Sequence, residues 1–207
     1  MPNWFITADF AKNINLGILA GESTMTDRKP TSLRRPEEED INRTLEWIED
    51  KDYYYFLVGE ASPSWADSRE KMLGRFEASS GYDSNIHMVI ELGQDTPAGM
   101  ILLHSINWKN RNAFIKFYLP NDNRTKSYAS DAFLASFDFA FHELNLHKIC
   151  IYLFEYEKNF VKIVEKIGGK REVVLKSYFY DRNRSYDLYL YGVLRGEYEE
   201  VIGKSNR

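Results

Sequence analysis

The sequence predicts an α+β domain built on one central mixed sheet that is flanked by helices. First, residues 86–119 alternate apolar and other side chains with a period of two, which predicts an antiparallel meander of three strands. Second, residues 113–169 follow the order strand, polar loop, amphipathic helix, strand and helix. Third, the tyrosine-rich runs at 173–180 and 186–193 predict a C-terminal hairpin. Together these observations indicate a meander, a strand-helix-strand-helix unit and a closing hairpin in one sheet.

Length and composition set the domain organisation. The chain has 207 residues, of which 43% are hydrophobic, so it can bury one sizeable core. Residues 1–30 are poorly periodic and are predicted to form an N-terminal extension. Residues 31–199 are predicted to form the domain, and residues 200–207 a C-terminal tail.

Charge and cysteine content narrow the class of protein. The formal net charge of -4 argues against a broad nucleic-acid-binding surface. No apolar run approaches the ~20 residues that span a bilayer, so no membrane partner is expected. The single cysteine, Cys150, and the lack of a secretory leader predict a cytoplasmic protein. His87, His142 and His147 have no metal-ligand spacing among them, and no metal is expected.

The elements of the domain can be placed by periodicity. Pro36, followed by four acidic residues, predicts a helix start, and a second helix is predicted over residues 64–78. The third meander strand is predicted at 113–119, and the following strand at 147–154. Two apolar helical stripes flank that strand, and Gly168-Gly169 is predicted to end the second helix. The first stripe consists of Phe133, Phe137, Ala140, Phe141 and Leu144.

Four short motifs carry a family resemblance in their order and spacing. Leu33-Arg34-Arg35-Pro36 through Asp40 stands at the start, and Phe139 through Ile149 spans the central helix and the next strand. Glu165-Lys166-Ile167-Gly168 ends the second helix, and Tyr186 through Leu194 is the last strand. This pattern resembles the Rim-type branch, similar to ribosomal-protein N-acetyltransferases, of the GNAT superfamily of N-acyltransferases. The resemblance covers about Leu33 to Glu199.

The resemblance implies a GNAT-like fold and an acyl-transfer reaction. A primary amine, on a small molecule or a peptide, would attack the thioester of an acyl-CoA directly in a ternary complex. Acetyl-CoA is the default co-substrate. It would lie between the third meander strand and the strand at 147–154, with its carbonyl polarised by backbone amides near Phe117 to Leu119. A homodimer is compatible with the resemblance.

The resemblance also locates a loop that would bind the pyrophosphate of coenzyme A. The matching residues are Arg124, Thr125, Lys126, Ser127, Tyr128 and Ala129. Ser127 stands where the family has its first glycine, which lets a phosphate approach the backbone closely. The loop therefore departs from the family pattern, although Arg124 and Lys126 supply positive charge next to a helix N-terminus. The alternative is a solvated turn whose serine caps the helix.

The expected catalytic positions are also changed. Phe114 matches the usual glutamate of the third meander strand, and Lys116 the small residue two positions later. Val164 matches the tyrosine that usually acts as the general acid. Glu157 matches an asparagine, and it is the candidate base because it follows the central strand; the alternative is a helix-start acid. The remaining candidates are His104, as a catalytic residue facing the acceptor, and Asn159, as an amide contact to the cofactor.

Two other functions remain open at this stage. The altered loop and a set of basic residues favour a transferase whose donor is an aminoacyl-tRNA or a carrier-protein thioester. That set consists of Lys109, Arg111, Lys116, Arg124 and Lys126. The changed acid and base positions favour a catalytically silent binding module, because fold does not fix function.

Overall fold

A seven-stranded mixed sheet forms the centre of the described part of the protein. The computed structural model describes residues 31–37, 39–40, 47, 84–92, 97–120, 129–181 and 183–205. The strands are β1 (Thr31–Arg34), β2 (Ile86–Leu92), β3 (Pro97–Asn107), β4 (Asn112–Tyr118), β5 (Lys148–Phe154), β6 (Lys170–Asp181) and β7 (Arg184–Leu194), and their order in the sheet is β1-β2-β3-β4-β5-β7-β6.

Strand pairing confirms the predicted meander and hairpin. β2 pairs antiparallel with β3, β3 pairs antiparallel with β4, and β6 and β7 form the antiparallel hairpin. β4 and β5 pair parallel, which makes the sheet mixed. β1 pairs with β2 and was not predicted as a strand. Only four residues long, it shows little periodicity, and it is held in place by the burial of Leu33 and an ion pair between Arg34 and Glu91 at 2.9 Å.

Three helices flank the described sheet. They are α1 (Ala129–Asp138), which continues as a π-helical turn at Phe139–Glu143, α2 (Lys158–Lys166) and α3 (Arg195–Ser205). The predicted stripe on α1 is confirmed, because Phe133, Phe137 and Phe141 are fully buried. Each such side chain contributes about 2–3 kcal/mol of hydrophobic free energy. α2 ends as predicted, with Gly168 at a φ of 92°, a conformation that glycine adopts without a steric penalty.

The predicted C-terminal boundary falls inside a helix. α3 continues through residue 200, where the tail was predicted to begin. The Tyr198 ring is buried and lies 5.3 Å from the Phe141 ring, and Ile202 also packs against the core. α3 therefore belongs to the domain. The predicted N-terminal extension and the predicted helix at 64–78 lie outside the described residues, whereas Glu39 and Asp40 are helical, as the helix start at Pro36 predicts.

Candidate functional site

A fork between the two parallel strands is the main feature of the site. β4 and β5 pair from Asn112 and Lys148 to Ile115 and Ile151, and no further pair follows although both strands continue for three residues. On its other edge β4 stays paired with β3 as far as Tyr118. The backbone N–H and C=O groups of a strand point alternately to its two neighbours, so β3 can bond only those on its own side of β4. The backbone groups of residues 116–118 that point to the other side face the fork. The strands thus separate where the sequence analysis placed the acyl donor.

Aromatic packing fills the helix side of the fork. The Phe117 ring lies 4.7 Å from that of Phe133 on α1 and 6.3 Å from that of Phe160 on α2. The Phe117 side chain is therefore partly buried against the core. The same contact brings the first turns of α1 to the end of β4.

A glycine on β3 allows the end of β4 to pack closely. A Cβ at Gly99 would lie 2.8 Å from Leu119 Cδ2 and would also clash with the carbonyl oxygen of Tyr118. Any larger residue at position 99 would therefore push the Tyr118 to Leu119 backbone away from β3. These backbone atoms belong to the segment predicted to polarise the acyl carbonyl.

The loop predicted to bind pyrophosphate is only partly described. Arg124, Thr125, Lys126, Ser127 and Tyr128 lie outside the described residues, and Ala129 is the first residue of α1. The described part of α1 therefore follows directly after the predicted loop. Its N-terminus carries a partial positive charge and unpaired backbone N–H groups, which attract anions.

A ladder of stacked rings crosses the opposite face of the sheet. The His104 ring on β3 lies 5.5 Å from the Phe114 ring on β4, which lies 5.5 Å from the Tyr152 ring on β5. The interplanar angles are 25° and 10°. Lys116 lies on this same face, two residues after Phe114 and just beyond the last β4–β5 pair. The predicted catalytic residue His104 lies beside Phe114, which still pairs with Cys150 before the fork begins.

Burial controls the protonation of this face. Desolvation, with a further contribution from Lys116, lowers the pKa of His104 to about 4. Desolvation and the nearby His104 lower the pKa of His87 to about 4, and burial also lowers the pKa of Lys116. Both imidazoles are therefore neutral at pH 7. His104 Nδ1 lies 3.2 Å from Ser105 Oγ, whereas its buried Nε2 makes no hydrogen bond with any described residue.

Glu157 lies at the junction of β5 and α2. Its backbone carbonyl accepts a hydrogen bond from the Val161 N–H at 3.0 Å, as the residue preceding a helix does. Its side chain does not cap the helix; instead, Oε2 accepts a hydrogen bond from the Phe154 N–H at 2.6 Å. Glu157 is half-buried and Asn159 is exposed in the first turn of α2. Val164 is fully buried, and valine has no proton to donate.

The three described basic residues of the set invoked for a macromolecular donor do not share one surface. Lys109 and Arg111 are exposed in the turn before β4, whereas the fork opens at the other end of that strand. Lys116 is half-buried on the sheet, and the remaining two lie in the loop outside the described residues.

Tyr152, which the sequence analysis missed, was detectable because it alternates with the buried Ile151 and Leu153 and so faces the other side.

The described residues contain no group of three potential metal ligands, and none of the described helices is long and apolar enough to cross a membrane. Cys150 is half-buried on β5.

The fold and part of the sequence match known proteins. Residues 31–170 match the family model of the acetyltransferase (GNAT) domain. An uncharacterized N-acetyltransferase, p20, from Bacillus licheniformis is 23% identical over 86% of this chain and 98% of its own length. A putative ribosomal N-acetyltransferase, YdaF, from Bacillus subtilis is 26% identical over 66% of this chain and 68% of its own.

A solved structure with a similar fold contains two bound ligands. It is spermidine N-acetyltransferase from Vibrio cholerae in complex with CoA and spermine, with a TM-score of 0.70 and 21% identity. The match covers 81% of this chain and 97% of that one. At this level of identity the likeness concerns the fold.

Proposed function

Because the chain belongs to the GNAT acetyltransferase family, we propose that it transfers an acetyl group from acetyl-CoA to a primary amine by direct attack in a ternary complex. The observation that carries this proposal is the fork, in which β4 and β5 stop pairing at Ile115 and Ile151. Membership of the Rim-type branch is part of the proposal and is supported by the ribosomal-type name of the relative from Bacillus subtilis.

The donor would lie in the fork. Backbone N–H groups between Phe117 and Leu119 would polarise the thioester carbonyl, and the loop from Arg124 to Ala129 would hold the pyrophosphate beside the N-terminus of α1. Asn159, exposed on the first turn of α2, would contact the cofactor from the other side of the fork. The acceptor amine would approach along the face that carries His104, Phe114 and Tyr152.

The reaction requires two proton transfers. The amine nitrogen attacks the acetyl carbonyl, a C–N bond forms, the C–S bond breaks, and CoA leaves as a thiolate. We propose that Glu157 takes the proton released by the amine, because it is the carboxylate at the end of β5. Tyr152 would protonate the thiolate, since it is the first residue of β5 inside the fork and is 41% exposed. His104, whose pKa is about 4, would contact the acceptor and stay neutral.

Free acetyl-CoA fits the geometry better than a macromolecular donor. A tRNA or a carrier protein would have to contact Lys109 and Arg111 at one end of β4 and the fork at the other. None of the named relatives is described as using such a donor, and the similar solved structure holds CoA. The predicted homodimer stays a prediction.

Calorimetric titration with acetyl-CoA and the release of free thiol in the presence of amines test the proposal. The wild-type protein should bind acetyl-CoA, and the double substitution Arg124→Glu and Lys126→Glu should weaken binding by about 10-fold or more, because it repels the pyrophosphate. Lys109→Glu is the matched control and should have no effect. No response to millimolar acetyl-CoA would reject the proposal, and binding without thiol release would indicate a silent module.

A further inference from the structure

Two rows of stacked rings end at the fork, on the face along which the acceptor is proposed to approach. The first row ends at Tyr152, whose ring lies 5.5 Å from that of Phe114 at an interplanar angle of 10°. The second row pairs Phe154 with Tyr156, whose rings lie 5.2 Å apart at an angle of 10°. Because Tyr152 and Phe154 are two residues apart on β5, the two rows lie side by side on one face.

The tyrosine at the end of each row is open to solvent. Tyr152 is 41% exposed and Tyr156 is 47% exposed, whereas Phe154 between them is buried. Both tyrosines come after Ile151, the last residue of β5 that pairs with β4, so they stand at the open end of the fork. These two side chains form the tyrosine surface, which adjoins the proposed position of the acyl donor.

The hairpin orients the Tyr156 ring. Tyr186 on β7 meets this ring edge-on, with 5.1 Å between the centroids and an interplanar angle of 81°. Phe179 on β6 packs against Phe154 at 5.0 Å and so supports the ring on which Tyr156 stacks. Tyr156 is thus held by contacts at its edge and on one face. A ring that is oriented before a ligand binds loses little conformational entropy when the ligand stacks on it.

A flat apolar group fits this surface better than a second cation. The guanidinium carbon of Arg184 lies 4.9 Å from the centre of the Tyr186 ring, and Arg184 Nη2 lies 3.5 Å from a carboxylate oxygen of Glu155. The chain therefore supplies its own cation beside these rings, and further ammonium groups on an acceptor would meet that positive charge. An aromatic ring, by contrast, can extend a stack in the offset geometry that such rings prefer.

We propose that Tyr152 and Tyr156 bind a flat aromatic group on the acceptor molecule that carries the amine. This inference rests on the proposed acetyl transfer and specifies its acceptor class. Oε2 of Glu157, the proposed base, lies 2.6 Å from the backbone nitrogen of Phe154, in the middle of the segment that carries both tyrosines. An aromatic group on the tyrosine surface would therefore bring its amine to the side of the base. Such an acceptor differs from the spermidine named for the Vibrio cholerae enzyme.

A matched pair of amines tests the aromatic preference. Initial rates of thiol release from acetyl-CoA are measured with 3-phenylpropylamine and 3-cyclohexylpropylamine, whose rings are far enough from the nitrogen for the two amines to have nearly equal basicity. Spermidine is the polycationic comparison. We expect kcat/KM for the phenyl amine to exceed that for the cyclohexyl amine by about 3-fold or more, and that for spermidine by about 10-fold or more.

Variants assign the preference to the tyrosine surface. Tyr156→Ala and Tyr156→Leu should each remove the preference for the phenyl amine and leave acetyl-CoA affinity unchanged, whereas Tyr156→Phe keeps the ring and should retain the preference. Trp108→Ala is the matched control, because Trp108 is 49% exposed in the turn between β3 and β4, at the other end of β4 from the fork. Equal use of the two ring amines, a preference for spermidine, or a preference that survives both Tyr156→Ala and Tyr156→Leu would overturn the proposal.

A binding measurement keeps the tyrosine surface separate from the proposed reaction. Saturation-transfer NMR is recorded with 3-phenylpropanol, which has the same ring but no amine to acetylate, on wild-type protein and on Tyr156→Ala. A transfer to the phenyl protons that the substitution removes supports the surface even if acetyl-CoA does not bind, in which case only the proposed reaction fails. If 3-phenylpropanol does not bind and the phenyl amine is not preferred in turnover, the aromatic subsite is rejected.

Discussion

The Glu157 carboxylate accepts a hydrogen bond of 2.6 Å from the backbone N–H of Phe154 and so joins the end of β5 to the start of α2. A variant that tests Glu157 as a base must therefore keep this contact. Glutamine can still accept the Phe154 N–H through its amide oxygen, but it cannot take a proton.

Glu157→Gln should therefore lower kcat by roughly 10²-fold or more, with acetyl-CoA affinity little changed. The measurement is the steady-state rate together with a calorimetric titration. Glu157→Ala, the comparison variant, should lose the same activity and also some thermal stability, since the Phe154 N–H loses its partner. If Glu157→Gln turns over at the wild-type rate, Glu157 has only a structural role.

Tyr152→Phe should lower kcat by about 10-fold or more and leave the fold intact. The substitution keeps the ring that stacks on Phe114 at 5.5 Å and removes only the phenolic proton donor. The loss should be largest for acyl donors whose thiol has a high pKa, because such a thiolate is the poorest leaving group. Rates measured with acyl donors of different thiol pKa check this. An equal rate with every donor would show that the thiolate obtains its proton elsewhere.

Gly99→Ala should destabilise the protein by about 1–3 kcal/mol, because the added Cβ meets backbone and side-chain atoms at the end of β4. Acetyl-CoA binding should weaken as well, since the same backbone faces the fork. Urea unfolding and calorimetry measure the two effects. Gly203→Ala on α3, where an added Cβ has no neighbour within 4 Å, is the control and should raise stability by up to about 1 kcal/mol.

Val164→Tyr should not restore a general acid. Val164 is fully buried, and its atoms already block any side chain at Gly169, so a tyrosine ring would overpack this end of α2. The expected result is a stability loss of about 1–3 kcal/mol or more with no gain in rate. A faster and equally stable variant would contradict this packing argument.

His87 and His104 should make the stability depend on pH. The pKa of each is lowered to about 4 in the folded protein, below the ordinary value of 6.5. Between these values the unfolded chain binds protons that the folded chain does not, so stability falls as the pH is lowered from about 6.5 to 4. His104→Phe should make this slope shallower in urea unfolding at about pH 4.5, 5.5 and 6.5. An unchanged slope would mean that His104 is more accessible to water than its surroundings suggest.

The sequence determined the order of the elements. The period of two along β2 to β4, the stripe of Phe133, Phe137 and Phe141, and the glycine that ends α2 are local patterns, because each reflects which face of one strand or helix is buried. Their order, together with the family motifs, was enough to predict the mixed sheet, whereas the donor site between β4 and β5 stays a prediction.

Only the tertiary structure decided which groups meet. The short strand β1 depends on Leu33 and Arg34 finding partners in β2, about 57 residues away along the chain. The contact between Glu157 and Phe154 and the stacking of His104, Phe114 and Tyr152 depend on strand register. The lowered pKa values depend on burial by elements remote in sequence. Such contacts join side chains across strands, and no local periodicity records which residues face each other.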